Sequence, residues 1–470
     1  MRGRFDDLGF SYFSIGGRGI FTYTLGMLKV MLVGNAPLPK ENTNSRPAAG
    51  LRTWQFIKGL SDGADIELHA VTIGMPECYE KKPEKGLSDG GFYKRYFINK
   101  DSVDLHKWVQ EVHDEVHPDV IVSVNTFPSY ITSKLKTKTP FWADLNGWIM
   151  AEGQAQAAIL ESNAYIPHYY RMEQSILARA DRFSTVSENQ KYAVYGELAA
   201  MGRVRKGNFG EELVARIGNA QEDLGERSEL KEDYFVELDG KFLVLWIGGY
   251  NTWADEETLF RGLEKAMEKC DDLYFVSTGG GIEGLNNATF KRFKERIDKS
   301  KYRDRFKFLG WVETAEIPKI YERADCGINV DKMCLETWTG ARNRINEMMK
   351  YGVPVVTTLG SEIADLCVNV GAGIGVKSGD SKALAKALER IYREEDKEKY
   401  GNAGKKFTEE NSYKRSLKPL LEWIKNPKKN GPNIINYKGG SGIAFLKSSL
   451  LYLKERGLRN FLKRIGRFFK

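Results

Sequence analysis

With 470 residues, 41% apolar and 29% charged, the chain has the composition of a soluble globular protein and a length of roughly two or three domains. Its five cysteines are scattered and never in Cys-x2-Cys spacing, which argues for a reducing compartment and against a disulfide frame or a zinc site. No run approaches the ~18–20 apolar residues of a spanning helix, and the net charge of +8 is local: Lys438–Lys470 carries nine Lys or Arg against one acid, Glu455, so the other 437 residues are neutral as a whole.

Residues 1–26 are aromatic and Gly-rich, without a clean apolar h-region or a small-residue cleavage site. They read as an N-terminal extension or a disordered arm, not a signal peptide. The first buried strand is Lys29–Gly34, followed by the loop Asn35–Pro47 and a helix from Ala48 to Leu60. Further strands are expected at Asp65–Ile73, Asp119–Val124, Pro140–Asp144 and Arg182–Val186. The one close histidine pair, His113 and His117, lacks a third ligand and reads as surface. A polar stretch around Gln221–Asp233 separates a second series: Phe242–Ile247, Leu273–Ser277, Phe306–Trp311, Cys326–Val330, Val353–Thr358 and Gly373–Val376. Alternation of strand and helix implies α/β architecture with parallel sheets and ligand sites at the strand C-termini.

The densest chemistry lies between Leu335 and Thr358. A polar loop leads into a short helix, then a Gly352-Val353-Pro354 turn into an apolar β-branched strand. Glu336, Arg342, Arg344 and Glu347 fall within twelve residues. Carboxylates accept bonds from vicinal hydroxyls, Arg forks match phosphate oxygens, and a helix N-terminus favours an anion. Gly248-Gly249-Tyr250 follows a strand and precedes a helix starting near Asp255, and Gly279-Gly280-Gly281 is a second glycine turn. Either turn alone is compatible with a plain strand-to-helix connection.

The Leu335–Thr358 stretch resembles the nucleotide-sugar loop of GT-B glycosyltransferases of the family-4-like group (glycosyl transferases group 1). The usual family pattern is Glu-x7-Glu; here Glu336 and Glu347 are separated by ten residues, with Thr339 eight positions before Glu347. A related variant, Glu-Thr-x4-Arg-x-Arg with an acid three residues on, matches Glu336, Thr337, Arg342, Arg344 and Glu347. The resemblance covers about residues 27–425 and is more specific in the second half. It implies two Rossmann-like, doubly wound domains facing a cleft. The boundaries expected are 27–222 for the acceptor domain and 223–406 for the nucleotide-sugar domain, with a returning helix at 407–424 laid across the hinge. Residues 425–470 are then a linker, Lys425–Pro432, and a basic amphipathic tail.

By the same resemblance, Glu347 binds the nucleotide ribose and Glu336 the donor sugar or its neighbourhood. Arg342 and Arg344 neutralise the diphosphate, in place of a metal. Gly248 and Gly249 lie beneath the diphosphate, where many members carry Arg or Lys at the positions of Asn251 and Trp253 here. Gly280 approaches the nucleotide, and Trp311 and Val312 pack against the base, although Trp311 reads equally well as core. Asp144 ends a strand facing the cleft, with Glu152 close behind. It is a general base if the enzyme inverts configuration and a strand-end cap otherwise; a retaining enzyme needs no such base. Asn146 stands where many relatives carry His, and Gly50, Arg52 and Asn125 complete the acceptor side.

In the tail, residues such as Phe445, Leu450, Leu458, Phe461, Ile465 and Phe468 recur at roughly helical spacing, interleaved with Lys447, Lys454, Arg459, Arg464 and Arg467. This composition suits an interfacial helix on anionic lipid, with packing against the protein's own core as the rival. Nucleic acid fits least, because the aromatic residues cluster with the apolar ones. The expected protein is a cytoplasmic, metal-independent glycosyltransferase without a cofactor, peripheral on the inner membrane face. It would transfer a sugar from a nucleotide sugar to a lipid-linked acceptor in cell-surface polysaccharide or glycolipid synthesis, retaining rather than inverting. The rivals are a GT-B sugar-nucleotide epimerase and a non-catalytic sugar- or nucleotide-binding membrane scaffold.

Overall fold

The computed structural model describes residues 27–430, apart from 40, 42, 44–47, 64, 80, 82, 223–227, 231–233 and 282–286, together with Leu458. The expectations for residues 1–26 and for the basic tail lie outside the described residues. Among the described residues, no helix is long and apolar enough to cross a membrane.

The strands form two sheets. The first contains β1 (Leu28–Ala36), β2 (Ile66–Gly74), β3 (Gly86–Asp89), β4 (Lys94–Asn99), β5 (Val120–Val124), β6 (Phe141–Leu145), β7 (Arg182–Thr185) and β8 (Val214–Arg216). Their order is β3-β4-β2-β1-β5-β6-β7-β8, parallel throughout except where β3 pairs antiparallel to β4. The second sheet contains β9 (Phe242–Trp246), β10 (Leu273–Thr278), β11 (Phe306–Gly310), β12 (Cys326–Asn329), β13 (Val355–Thr358) and β14 (Gly373–Val376). It is wholly parallel, in the order β11-β10-β9-β12-β13-β14.

Continuous apolar runs make these strands because both faces of each sheet are covered by helices. In β1, Val30 and Leu32 enter one core while Met31 and Val33 enter the other. Likewise Val244 and Trp246 of β9 point to one side of the second sheet, and Leu243 and Leu245 to the other. Successive side chains on a strand alternate faces, so each strand ties two cores together.

Three strands escaped the sequence reading. β3 is polar and nearly all exposed, β4 opens on Lys94 and Arg95, and β8 has three residues. β3 and β8 are the sheet's edges and lack the apolar run that marks a buried strand, and in β4, which lies between β3 and β2, that run is only Tyr96–Ile98. The returning segment also differs from a single helix. A helix Glu398–Glu410 ends at Asn411, and two short helices follow at Tyr413–Ser416 and Lys418–Ile424. Leu417, Leu420, Trp423 and Ile424 join the core of the first sheet, where Trp423 packs 5.5 Å from Trp142.

Asn430, within the expected linker, is tied to the first half of the chain. Asn430 is 7% exposed. Its N–H donates to Asp181 Oδ1 at 2.8 Å, and its carbonyl accepts from Arg205 Nη2 at 3.1 Å and Arg203 Nη2 at 3.4 Å. Asn208 Nδ2 donates to its Oδ1 at 2.9 Å. The chain is therefore clamped to the first half before the tail begins.

Candidate active site

Parallel strands deliver the loops at their C-terminal ends to one edge, and in the second sheet the loops after β9, β10 and β12 meet there. The two glycine turns are in direct contact. Gly279 N–H donates to Gly310 O at 2.5 Å, and Tyr250 N–H to Gly280 O at 3.1 Å. Gly279 has φ +78°, and a Cβ there would stand 2.6 Å from Gly248 O. Only glycine satisfies both the left-handed backbone and this approach.

The helix Asn343–Lys350 starts against these turns and carries Arg344 and Glu347. The Arg344 guanidinium lies 3.7 Å from the Trp246 ring centroid, and Trp246 is itself stacked on Tyr250 at 4.8 Å. Its Nη2 donates to Gly249 O at 2.9 Å, with Nη1 3.5 Å from Asn329 Oδ1. Among the described residues no carboxylate forms an ion pair with it. Burial lowers its pKa to about 10, with the charge of Asp331 opposing the shift, so Arg344 remains a cation at neutral pH. Glu347 is half-buried and accepts from Tyr321 Oη at 3.0 Å, whose ring stacks on Tyr351 at 4.6 Å.

Arg342 is placed differently from the expectation that it neutralises a diphosphate. Its Nε donates to Asp331 Oδ2 at 2.6 Å, and its two Nη atoms donate to Glu336 at 3.1 and 2.7 Å. Burial opposes its charge, yet Asp331 and Glu336 hold the proton more firmly than usual. Burial raises the pKa of Glu336 and the Arg342 charge opposes the rise. Glu336 is 5% exposed, so the expected donor-sugar carboxylate instead holds the loop through a buried ion triad. The fork of Arg342 faces carboxylates, and it is Arg344 that turns to the glycine loops.

Thr337 is buried, and its hydroxyl donates to Lys332 O at 2.7 Å, pinning the same loop. Asn251 and Trp253 are half-buried in the loop after β9, and the Trp253 ring lies 5.4 Å from Arg342 Cζ. Trp311 is 51% exposed at the end of β11 and is not core, whereas Val312 packs against the interior.

In the first half the general-base expectation for Asp144 is corrected. Asp144 is 0% exposed, and Arg52 Nε and Nη2 donate to its two oxygens at 3.0 and 2.7 Å. Ser184 Oγ adds a bond of 2.7 Å to Oδ1. The alternation of β6 turns this side chain into the protein, away from any acceptor hydroxyl in the cleft. Arg52 also donates to Ile217 O at 2.8 Å and to Gly218 O at 3.1 Å, so it anchors the segment after β8 and does not line an acceptor space. Gly50 has a packing reason: a Cβ there would meet Pro37 O at 1.9 Å. Asn125 and Asn146 are brought together, Asn146 Nδ2 donating to Asn125 Oδ1 at 2.9 Å, at the C-terminal ends of β5 and β6. Glu152, on the helix Ile149–Leu160, faces the Glu336 loop; burial and the Glu336 charge push its pKa up to about 8, against Arg342.

The halves touch at the rim of the cleft. Ser187 Oγ donates to Thr339 O at 2.5 Å, Asn189 Nδ2 to Trp338 O at 3.0 Å, and Asn219 Nδ2 to Asn343 Oδ1 at 2.6 Å. Glu362 binds the Glu188 N–H at 2.6 Å and pairs with Arg216. Between these contacts lies a cavity of about 390 Å³ lined by Arg216, Asn219, Ala341, Asn346, Glu362 and Arg415. Asp331 was absent from the sequence-based site. Its one signal is an acid directly after the strand expected at Cys326–Val330.

Residues 241–394 match the family model of glycosyl transferases group 1. No curated protein matches the chain in sequence. Among solved structures, HepE from Anabaena in complex with UDP-glucose is similar at a TM-score of 0.58 and 15% identity, over 84% of this chain and 99% of that one. Sucrose-phosphate synthase from Thermosynechococcus elongatus gives a TM-score of 0.62 at 14% identity, over 85% and 97% of the two chains. A UDP-forming α,α-trehalose-phosphate synthase from Burkholderia xenovorans, in complex with glucose-6-phosphate, gives 0.63 at 12% identity, over 85% and 100%. At these identities the likeness establishes the architecture.

Proposed function

We propose that this chain, which has the GT-B fold and belongs over residues 241–394 to the glycosyl transferases group 1 family, transfers a sugar from a UDP-sugar to an acceptor hydroxyl. The observation that carries the reading is Arg344, a cation without a carboxylate partner among the described residues, laid beside the Gly248–Gly249 turn with Glu347 one helical turn away. A diphosphate at that turn meets a guanidinium and backbone N–H groups, and a ribose beside it meets the Glu347 carboxylate. Fixed donors of this kind stabilise the charge that grows on the departing diphosphate without a metal. The Asp331–Arg342–Glu336 triad acts through position, holding the loop in which the donor sugar would sit.

With Asp144 turned into the protein, we favour retention. The acceptor attacks from the leaving-group face, and its proton goes to a diphosphate oxygen. The basic tail supports an acceptor linked to lipid, at the inner face of a membrane, in cell-surface polysaccharide or glycolipid synthesis.

The test is donor binding across a panel of nucleotide sugars, wild type against Arg344→Ala. One UDP-sugar bound by the wild type and lost in the variant is the expected result. Equal binding by both forms refutes the site, and binding of none refutes the function.

A further inference from the structure

The amphipathic tail starts from a fixed point. Asn430 is held, through its backbone and its side chain, by the side chains of four first-half residues, Asp181, Arg203, Arg205 and Asn208. Arg203 is 2% exposed and donates also to Leu177 O. Burial lowers its pKa to about 10, so it grips the Asn430 carbonyl as a cation.

The loop that supplies the clamp also presents a surface. Phe209, between Gly207 and Gly210, is 93% exposed, and Val204 is 48% exposed. Lys206, Lys428 and Lys429 are exposed around them, with Arg205 half-buried. The nearby acids are already partnered: Glu211 by Arg182 and Lys428, Glu212 by Lys191. An apolar tip in a basic ring, at the root of a basic apolar tail, is complementary to anionic lipid.

We propose that the corner formed by Val204, Lys206, Phe209 and Lys429 docks on an anionic lipid surface and sets the orientation of the enzyme on it. The inference rests on the reading of the tail as lipid-bound and adds a second, rigid contact to it. It also fixes where the cleft stands. Asp181, which holds Asn430, and Ser187, which touches Thr339 across the cleft, lie beyond opposite ends of β7. Six residues at ~3.3 Å each separate them by about 20 Å. The acceptor class that matches is an oligosaccharide on a lipid carrier, whose growing end stands above the headgroups.

The experiment is co-sedimentation of the full chain with vesicles of phosphatidylcholine alone or mixed with phosphatidylglycerol. Wild type is compared with Phe209→Asp, Lys206→Glu and the tail variant Arg464→Glu/Arg467→Glu, and UDP-sugar binding is read in solution for each. Expected is partitioning to the anionic vesicles that falls about fivefold or more in Phe209→Asp, less in Lys206→Glu, with donor binding unchanged. If only the tail variant loses binding, the corner is overturned and the tail reading stands. If wild type ignores anionic vesicles, both fall. Loss of donor binding in the wild type bears on the glycosyltransferase reading alone.

Discussion

Glu336 and Arg342 close on each other as a fork, Nη1 to Oε1 at 3.1 Å and Nη2 to Oε2 at 2.7 Å, while Arg342 Nε reaches Asp331 at 2.6 Å. Two residues on, Arg344 has no such partner among the described residues and points to the glycine turns. The two guanidiniums thus divide the work between holding the loop and meeting an anion.

Glu336→Ala leaves Arg342 with one of its two carboxylates and is expected to destabilise the fold. Removing one partner of a buried ion pair costs roughly 3–5 kcal/mol. Urea unfolding measures it, and a loss below about 1 kcal/mol, the range of surface pairs, contradicts the triad.

Arg344→Ala acts on the ligand. Hydrogen bonds to a charged group contribute roughly 1.5–3 kcal/mol, so UDP-sugar affinity is expected to fall about 10- to 150-fold. Arg344→Lys restores only part, because an ammonium lacks the planar fork. Titration calorimetry of the three proteins decides it; full rescue by Lys would mean that charge alone matters.

Arg52→Ala strands Asp144 in the interior and is expected to cost roughly 3–5 kcal/mol. The fraction that stays folded at low temperature should turn over at close to the wild-type rate, since neither residue faces the cleft. A collapse of kcat with unchanged stability would return Asp144 to the chemistry.

Glu152 sets a pH dependence. The unfolded chain releases this proton near the ordinary 4.5, whereas the folded state holds it until about 8, chiefly because of burial and then the Glu336 charge. Between those values the folded state binds the extra proton, so the group's contribution to stability falls as pH rises and levels off above about 8. Glu152→Gln should flatten that part of the profile of urea midpoint against pH. A remaining slope of the same sign is expected from Glu173 and Glu197, whose pKa values burial also raises. An unaltered profile would place Glu152 in water.

The two-sheet plan is legible in the amino-acid order alone, because strands buried on both faces need unbroken apolar runs such as Val30–Val33 and Phe242–Ile247. That order also marked the loop that carries Glu336, Arg342, Arg344 and Glu347, since acids and guanidiniums so closely spaced have little reason to share an ordinary surface helix. It could not assign roles within that cluster. Arg342 and Arg344 are the same residue type two positions apart, and what separates them is Asp331, eleven residues before Arg342 and brought to it by the end of β12. Asp144 shows the same limit: a strand-end acid reads alike whether it faces the cleft or Arg52, 92 positions away. Pairing between distant side chains is decided by which faces the folded sheets bring together, and local pattern does not contain it.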